Sequence, residues 1–181
     1  MMELLTEAKD AFSRSNVDKK HPFRYFTLVT FGEAYPEART VVSRGVDKAL
    51  QILVFTDARS LKVAQIQKNN QVSALFYHPK QKLQVRVQGE AHLIDENHQE
   101  YATYLHQVRS SPSLLDYTTS QAPGSVLEND AGDITHGEHL HFLAIQVIPH
   151  QLDVLKLDRV QHQRARYAQS GKGWIEQRLV P

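Results

Sequence analysis

Two arginines, a serine and a lysine carry the first hint of chemistry in this sequence. Arg39 and Arg44 lie on one stretch, RTVVSRGV, and Ser60 and Lys62 open another, SLKVAQIQKNN. If the second stretch is a helix, its start offers free backbone N–H groups and the positive end of the helix dipole to an anion. Ser60 would cap it and Lys62 would sit in its first turn. A phosphate held between that helix start and the Arg39 strand is the chemistry such a set performs. Arg39 and Arg44 are five residues apart and point to opposite faces of a regular strand, although a bulge at 43–45 would bring them together. Spacing alone favours a plainer alternative, a capped surface helix with a solvated lysine.

A second set lies on LQVRVQGEAHL (83–93), where Gln84, Arg86 and Gln88 replace the Lys/Glu mixture usual on a solvated strand face. Glutamine amides both donate and accept, which suits the edge of a heterocycle carrying C=O and N–H groups. A polar subunit interface would read the same way. Of the ten histidines, His136, His139 and His141 are the closest cluster, with Glu138 the one nearby carboxylate. That spacing matches no recognised metal site, and no metal is expected. Neither G-x-G-x-x-G nor G-x-x-x-x-G-K occurs, and there is no nucleophile elbow. No general acid or base stands out, so the catalytic residues are unknown.

The elements that must position these residues follow from periodicity. Leu4, Leu5, Ala8, Ala11 and Phe12 predict an amphipathic helix over 3–15. Strands are predicted at 24–31, 39–46 and 50–56, joined by turns at 32–36 and 47–49. A helix at 60–70 would bury Leu61, Ala64 and Ile66. A strand follows at 71–78. The alternation of Leu83, Val85, Val87, Ala91 and Leu93 makes 83–93 the clearest strand, with Gly89 marking a bulge or a close backbone approach. Asp95 would cap a helix of about 14 residues, a usual length. Residues 110–139 are rich in Ser, Pro, Gly, Asp and Asn and predict a long loop. Two strands, 139–149 and 151–157, are separated at Pro149, and 164–168 and 174–180 close the chain. About eight short strands with two or three helices predict an α+β, mainly β protein, a mostly antiparallel barrel with flanking helices. A doubly wound sheet is excluded, since the first three strands have no helix between them.

Composition narrows the partners. The 181 residues suit one domain, 1–181, with 1–20 as N-terminal helix and linker. With 21 basic against 20 acidic residues the formal net charge is +1, which gives no reason to expect nucleic acid or an anionic membrane as a partner. The absence of cysteine excludes disulfides, thiolate metal sites and a cysteine nucleophile. No apolar run approaches the ~20 residues of a membrane span, and the expected location is cytoplasmic.

Taken together, several blocks resemble the pyridoxamine 5'-phosphate oxidase-like FMN-binding split-barrel family. They are RTVVSRGVD (39–47), LVFTDARSLKVAQIQKNNQVSALFY (53–77), LQVRVQGEA (83–91) and the closing WIEQRLVP (174–181). The resemblance runs from about residue 24 to the end. It implies FMN as cofactor, a split β-barrel, and a homodimer with FMN at the subunit interface. It places the strand Arg39, Thr40, Val41, Val42, Ser43 and Arg44 against phosphate and ring, with Arg44 where lysine is usual. Phe55 and Thr56 match a flavin-contacting pair. Leu61 and Lys62 match an Arg-Lys pair, so one phosphate-binding arginine is missing, and Ser60 stands ready to compensate. Gln84 matches a glutamine facing the ring, Gln121 one contributed across the dimer, and Arg166 a late FMN-contacting arginine. The oxidase's Arg-x-His substrate motif is absent from RVQHQRARY (159–167), and Tyr104 and Arg109 fit the vitamin-phosphate residues only loosely. The resemblance therefore implies a divergent FMN-binding oxidoreductase acting on a small molecule, not a true pyridoxamine phosphate oxidase. The alternatives are a non-catalytic flavin-binding protein, and a haem-binding relative with His136, His139 or His141 as axial ligand.

Overall fold

A computed structural model describes residues 2–127, 133–171 and 173–181. Helix α1 (Glu3–Val17) is followed by a 3-10 turn at Pro22–Arg24. Then come β1 (Tyr25–Phe31), β2 (Pro36–Val46), β3 (Ile52–Asp57), α2 (Leu61–Lys68), β4 (Gln71–His78) and β5 (Leu83–Ile94). Helix α3 (Tyr101–Arg109), a 3-10 turn at Leu114–Tyr117, β6 (Phe142–Lys156), β7 (Gln163–Ser170) and β8 (Gly173–Leu179) complete the order. Neighbouring strands run β3-β2-β1-β4-β5-β6-β7-β8, and β3 also pairs with β6. That last pairing closes β1 to β6 into a six-stranded antiparallel barrel, with β7 and β8 extending from β6. No helix among the described residues is long and apolar enough to cross a membrane.

The barrel core is set by alternation. Phe26 and Leu28 of β1, Ala74 and Phe76 of β4, and Leu83, Val85 and Val87 of β5 all point inward and are buried. Helix α1 plugs one end with Leu4, Leu5, Ala8 and Phe12. Phe12 meets Phe76 edge-on at 4.9 Å and Phe23 at 5.3 Å. A buried phenylalanine of this kind contributes about 1.5–3 kcal/mol. Where α1 ends, the Asn16 side-chain amide donates to Val46 O and its carbonyl accepts from Val46 N, at 2.8 and 2.9 Å. The side chain thus acts as a short strand partner and fixes the end of β2, which carries Arg44.

Four expectations need correction. Helix α2 buries Val63 and Ile66, while Leu61 is 63% exposed, so the apolar face lies elsewhere than on Leu61 and Ala64. Asp95 does not start a helix: its carboxylate accepts from Asn97 N and its carbonyl from His98 N, a turn that competes with helix, and α3 begins at Tyr101 with 9 residues. The strands expected on either side of Pro149 are one continuous strand, β6. Arg24 belongs to the 3-10 turn, not to β1. Gly89 does mark a bulge and a close approach. Gln88 pairs with Gln151 and Gly89 with Pro149, leaving His150 as the extra residue, and a Cβ on Gly89 would lie 2.0 Å from Ile148 O. Of the loop expected over 110–139, residues 128–132 lie outside the described residues. The rest holds the 3-10 turn and a bridge between Thr119 and His136.

Candidate functional site

The end of the barrel opposite α1 is polar and sits beneath α2. Alternation sends Thr30 of β1, Arg39 of β2 and Thr56 of β3 into this mouth, and the first turns of α2 add Lys62 and Gln65. Arg39 donates to Thr30 Oγ1, to Gln65 Oε1 at 3.2 Å and to Glu37 at 3.1 Å. Lys62 Nζ donates to Thr56 Oγ1 at 3.0 Å, and Thr56 Oγ1 lies 3.2 Å from Ser60 Oγ. Ser60 stands at the N-cap position of α2 but makes no side-chain cap hydrogen bond; its hydroxyl turns to Thr56 instead.

The electrostatics of the mouth are unbalanced. Burial pushes the Lys62 ammonium below its ordinary value, nearby Arg39 pushes it the same way, and Asp57 opposes them. Burial also lowers Arg39, with Glu37 opposing. Asp57 is itself taken by Arg59, at 2.7 Å. Two desolvated cations therefore stand side by side with a carboxylate hydrogen-bonded to only one. A buried charge without a partner is costly, and an anion bound here would relieve both groups.

A second patch lies outside the barrel wall. Arg44 points away from the mouth, its guanidinium 5.3 Å from the centre of the Phe55 ring. It donates to Ser113 Oγ and to the Tyr117 hydroxyl at 3.4 Å each, and its Nε is buried with no hydrogen-bond partner among the described residues. Burial raises the Tyr117 hydroxyl above the ordinary tyrosine value, with Arg44 opposing. The pairing of β2 with β3 does slip between Ser43 and Gly45, yet Arg39 and Arg44 keep separate partners and the slip does not unite them.

The other predicted residues distribute as follows. Val41 and Ser43 are buried in the barrel, Val42 is half-buried and Thr40 exposed. Gln84 faces outward on β5, at the α1 end. Going round the wall from β3, it is four strand spacings away, roughly 19 Å. The other way, Phe55 reaches β5 only through Ala144 and Ile94, ten residues on from Gln84. Arg166 is half-buried on β7, its Nε buried and without a hydrogen-bond partner among the described residues. It lies opposite Asp153, which is taken by Arg86 at 2.8 Å and Arg164 at 3.0 Å. Gln121 is exposed, and its carbonyl accepts from Arg59 at 3.3 Å. One chain therefore brings together Arg39, Thr56, Ser60 and Lys62, and separately Arg44 and Phe55, but not Gln84 or Arg166 with either. His136 is exposed and hydrogen-bonds Thr118, and the His139 and His141 rings are 4.7 Å apart at the approach to β6.

Sequence reasoning missed Thr30, Gln65, Tyr117, Ser113 and the Asp57–Arg59 pair. Gln65 is three residues beyond Lys62, the spacing that puts two side chains on one helix face, and that signal was available.

A family model described as the pyridoxamine 5'-phosphate oxidase FMN-binding domain matches residues 5–95, the stretch that builds α1 and β1 to β5 and with them the mouth. The chain belongs to that family. Its cofactor is FMN and its barrel is the family's split barrel. The pyridoxine/pyridoxamine 5'-phosphate oxidase of Legionella pneumophila (strain Lens) is 25% identical over 174 residues, covering 91% of this chain and 80% of that protein. Among solved structures, a pyridoxamine 5'-phosphate oxidase-related, FMN-binding protein of Nostoc punctiforme superposes with a TM-score of 0.77 at 23% identity, covering 97% of this chain and 96% of the other. PhzG from Burkholderia lata, in complex with tetrahydrophenazine-1-carboxylic acid, gives 0.73 at 17% identity, covering 98% and 92%.

The residues present fit FMN. The mouth holds two desolvated cations and two hydroxyls for a phosphate, and Arg44 retains a buried N–H without an acceptor among the described residues. Arg59, two residues before Leu61, directs its donors to Asp57, Thr119, Ser120 and Gln121.

Proposed function

We propose that the chain, 1–181 as one unit, is a cytoplasmic homodimeric FMN-dependent oxidoreductase that moves a hydride between a small-molecule substrate and the flavin. The observation that carries this reading is the pair Arg39 and Lys62, two desolvated cations at the barrel mouth with a carboxylate on one only. They hold the phosphate, assisted by the hydroxyls of Thr56 and Ser60. The backbone of 40–43 leads from there to Arg44 and Phe55, which face the ring. When bound, FMN supplies hydride acceptance at its ring nitrogen N5 and passes the electrons on to oxygen or a second substrate. Arg44 places a positive charge where the reduced ring carries negative charge. Gln84, Gln121 and Arg166 complete the ring side from a second copy of the chain; the wide separation of Gln84 from Phe55 within one chain supports a site shared between protomers.

The test is the visible absorption spectrum of the purified protein with and without added FMN, followed by turnover with NAD(P)H and with pyridoxamine phosphate. Flavin bands that persist through gel filtration, together with turnover, are expected. Flavin bands without turnover of any donor would leave a binding protein. A Soret band, or a colourless protein that takes up no FMN, would defeat the reading.

A further inference from the structure

The turn between β3 and α2 does two jobs at once. On one side it carries Thr56, Ser60 and Lys62. On the other, Arg59 reaches out from it. The buried Asp57 carboxylate fixes Arg59 at both ends of its guanidinium, accepting from Nε at 3.1 Å and Nη2 at 2.7 Å, and also from Arg59 N at 2.8 Å. Held in that way, the guanidinium donates to Thr119 O at 2.8 Å, Thr119 Oγ1 at 3.2 Å, and Ser120 O and Gln121 O at 3.3 Å. The Asp57 hydrogen bond also raises Arg59 above its ordinary value. Around this grip the backbone closes. Ala58 N donates to His141 O and His141 N to Tyr117 O, while Ser120 N donates to Thr135 O and Gly137 N to Thr118 O. Residues 113–121 thus form a strap over β3, tied at one end to Arg44 through Ser113 and Tyr117 and at the other to Arg59.

We infer that Arg59 is a positioning residue: it latches residues 119–121 to the turn that sets Thr56 and Ser60, so that cofactor binding at the mouth and closure of the strap reinforce each other. This rests on the FMN site proposed above. A coupling of this kind works in both directions: whatever tightens the strap tightens the cofactor, and the cofactor tightens the strap. Arginine is needed for its shape. Only a planar fork reaches a carboxylate on one edge and three carbonyls on the other, and lysine would keep the charge without the bridge.

The test compares the full-length protein with Arg59→Ala and Arg59→Lys. Two quantities are read: FMN affinity by flavin fluorescence, and hydrogen exchange at the amides of Ser120, Gly137 and His141 with and without FMN. In the unaltered protein FMN should slow exchange at these amides. Both variants should exchange quickly with or without FMN and bind FMN about fivefold or more weakly, the lower range of ordinary coupling. Exchange in Arg59→Ala identical to the parent would overturn the latch. Fast exchange with unchanged FMN affinity would overturn the coupling. Full rescue by Arg59→Lys would show that charge, not position, matters, and would also overturn it. Each of these leaves the FMN site standing, whereas failure of the unaltered protein to take up FMN removes that site and the coupling together.

Discussion

Arg86 and Arg164 on the outer sheet face, and Arg39 and Lys62 at the barrel mouth, are both pairs of cations held close by the fold. They differ in what neutralises them. The outer pair closes on Asp153, whose side chain is 3% exposed and accepts from both arginines at 2.8 to 3.0 Å. Burial pushes the Asp153 carboxyl up, but the two arginines overcome it and hold the group below its ordinary value. At the mouth the charged groups themselves are displaced, with Lys62 and Arg39 both lowered. The outer pair has its counter-ion within the chain, although Arg86 Nε is buried without a hydrogen-bond partner among the described residues. On the reading proposed above, the mouth is completed by an external anion, which is the physical mark of a binding site as opposed to a structural ion pair.

Three changes would break or sharpen this contrast. The largest effect is expected from Asp153→Asn, which leaves two arginines facing each other without a counter-ion. Because both keep contact with water, the loss should be about 2–3 kcal/mol of unfolding free energy, somewhat under that for a fully buried pair, measured by urea denaturation. A loss below the error of that measurement would mean that the triad is ornamental. Lys62→Met should behave in the opposite way. Its apo stability should equal or exceed the parent's, because a desolvated ammonium is removed, while FMN affinity falls about 10- to 100-fold, the worth of one charged hydrogen bond. Equal affinity would take the phosphate away from the mouth.

The smallest effect is in pH dependence, and its sign differs between the two clusters. Asp153 has a folded value below its unfolded one, so its stabilisation is present above about pH 4 and is lost as pH falls through the folded value. The lowered Lys62 instead gives up its proton more readily than an ordinary lysine in the free protein, and neutral lysine does not hold a phosphate. FMN affinity should therefore fall on the alkaline side, earlier than an ordinary lysine would dictate. An affinity flat to pH 10 or beyond would contradict this; fluorescence titrations at a series of pH values decide it.

Much of the barrel was legible because its strands alternate cleanly, as in 83–93, and because turn residues separate 24–31, 39–46 and 50–56. Helix α2 was legible in extent but not in facing, since its short apolar pattern admits two faces and only contact with β1 and β5 selects Val63 and Ile66. Asp95 misled because a residue that caps helices also makes turns. At the site, Arg39 was legible as a charge on a strand that enters a core, and Lys62 as a lysine in the first turn of a helix. Thr30 was not, since nothing in TLVTF marks one threonine as the acceptor for an arginine nine residues on. Gln84 was chosen from the polar face of its strand and from the resemblance, Arg166 from the resemblance alone, and a single chain leaves both apart from the mouth.

The bulge at Gly89 and Pro149 has a consequence for sequence change. Inward positions on β6 are odd-numbered before it, as at Ile145 and Val147, and even-numbered after it, as at Leu152 and Val154. His150 is the single residue that shifts the phase. Excising it would leave Leu152 and Val154 facing the core and Asp153 the outer sheet face, paired with β5 in unbroken register, and would remove the kink alone. One exposed residue at a kink thus acts as a spacer: it carries the bend, while the order of inward and outward side chains runs on across it.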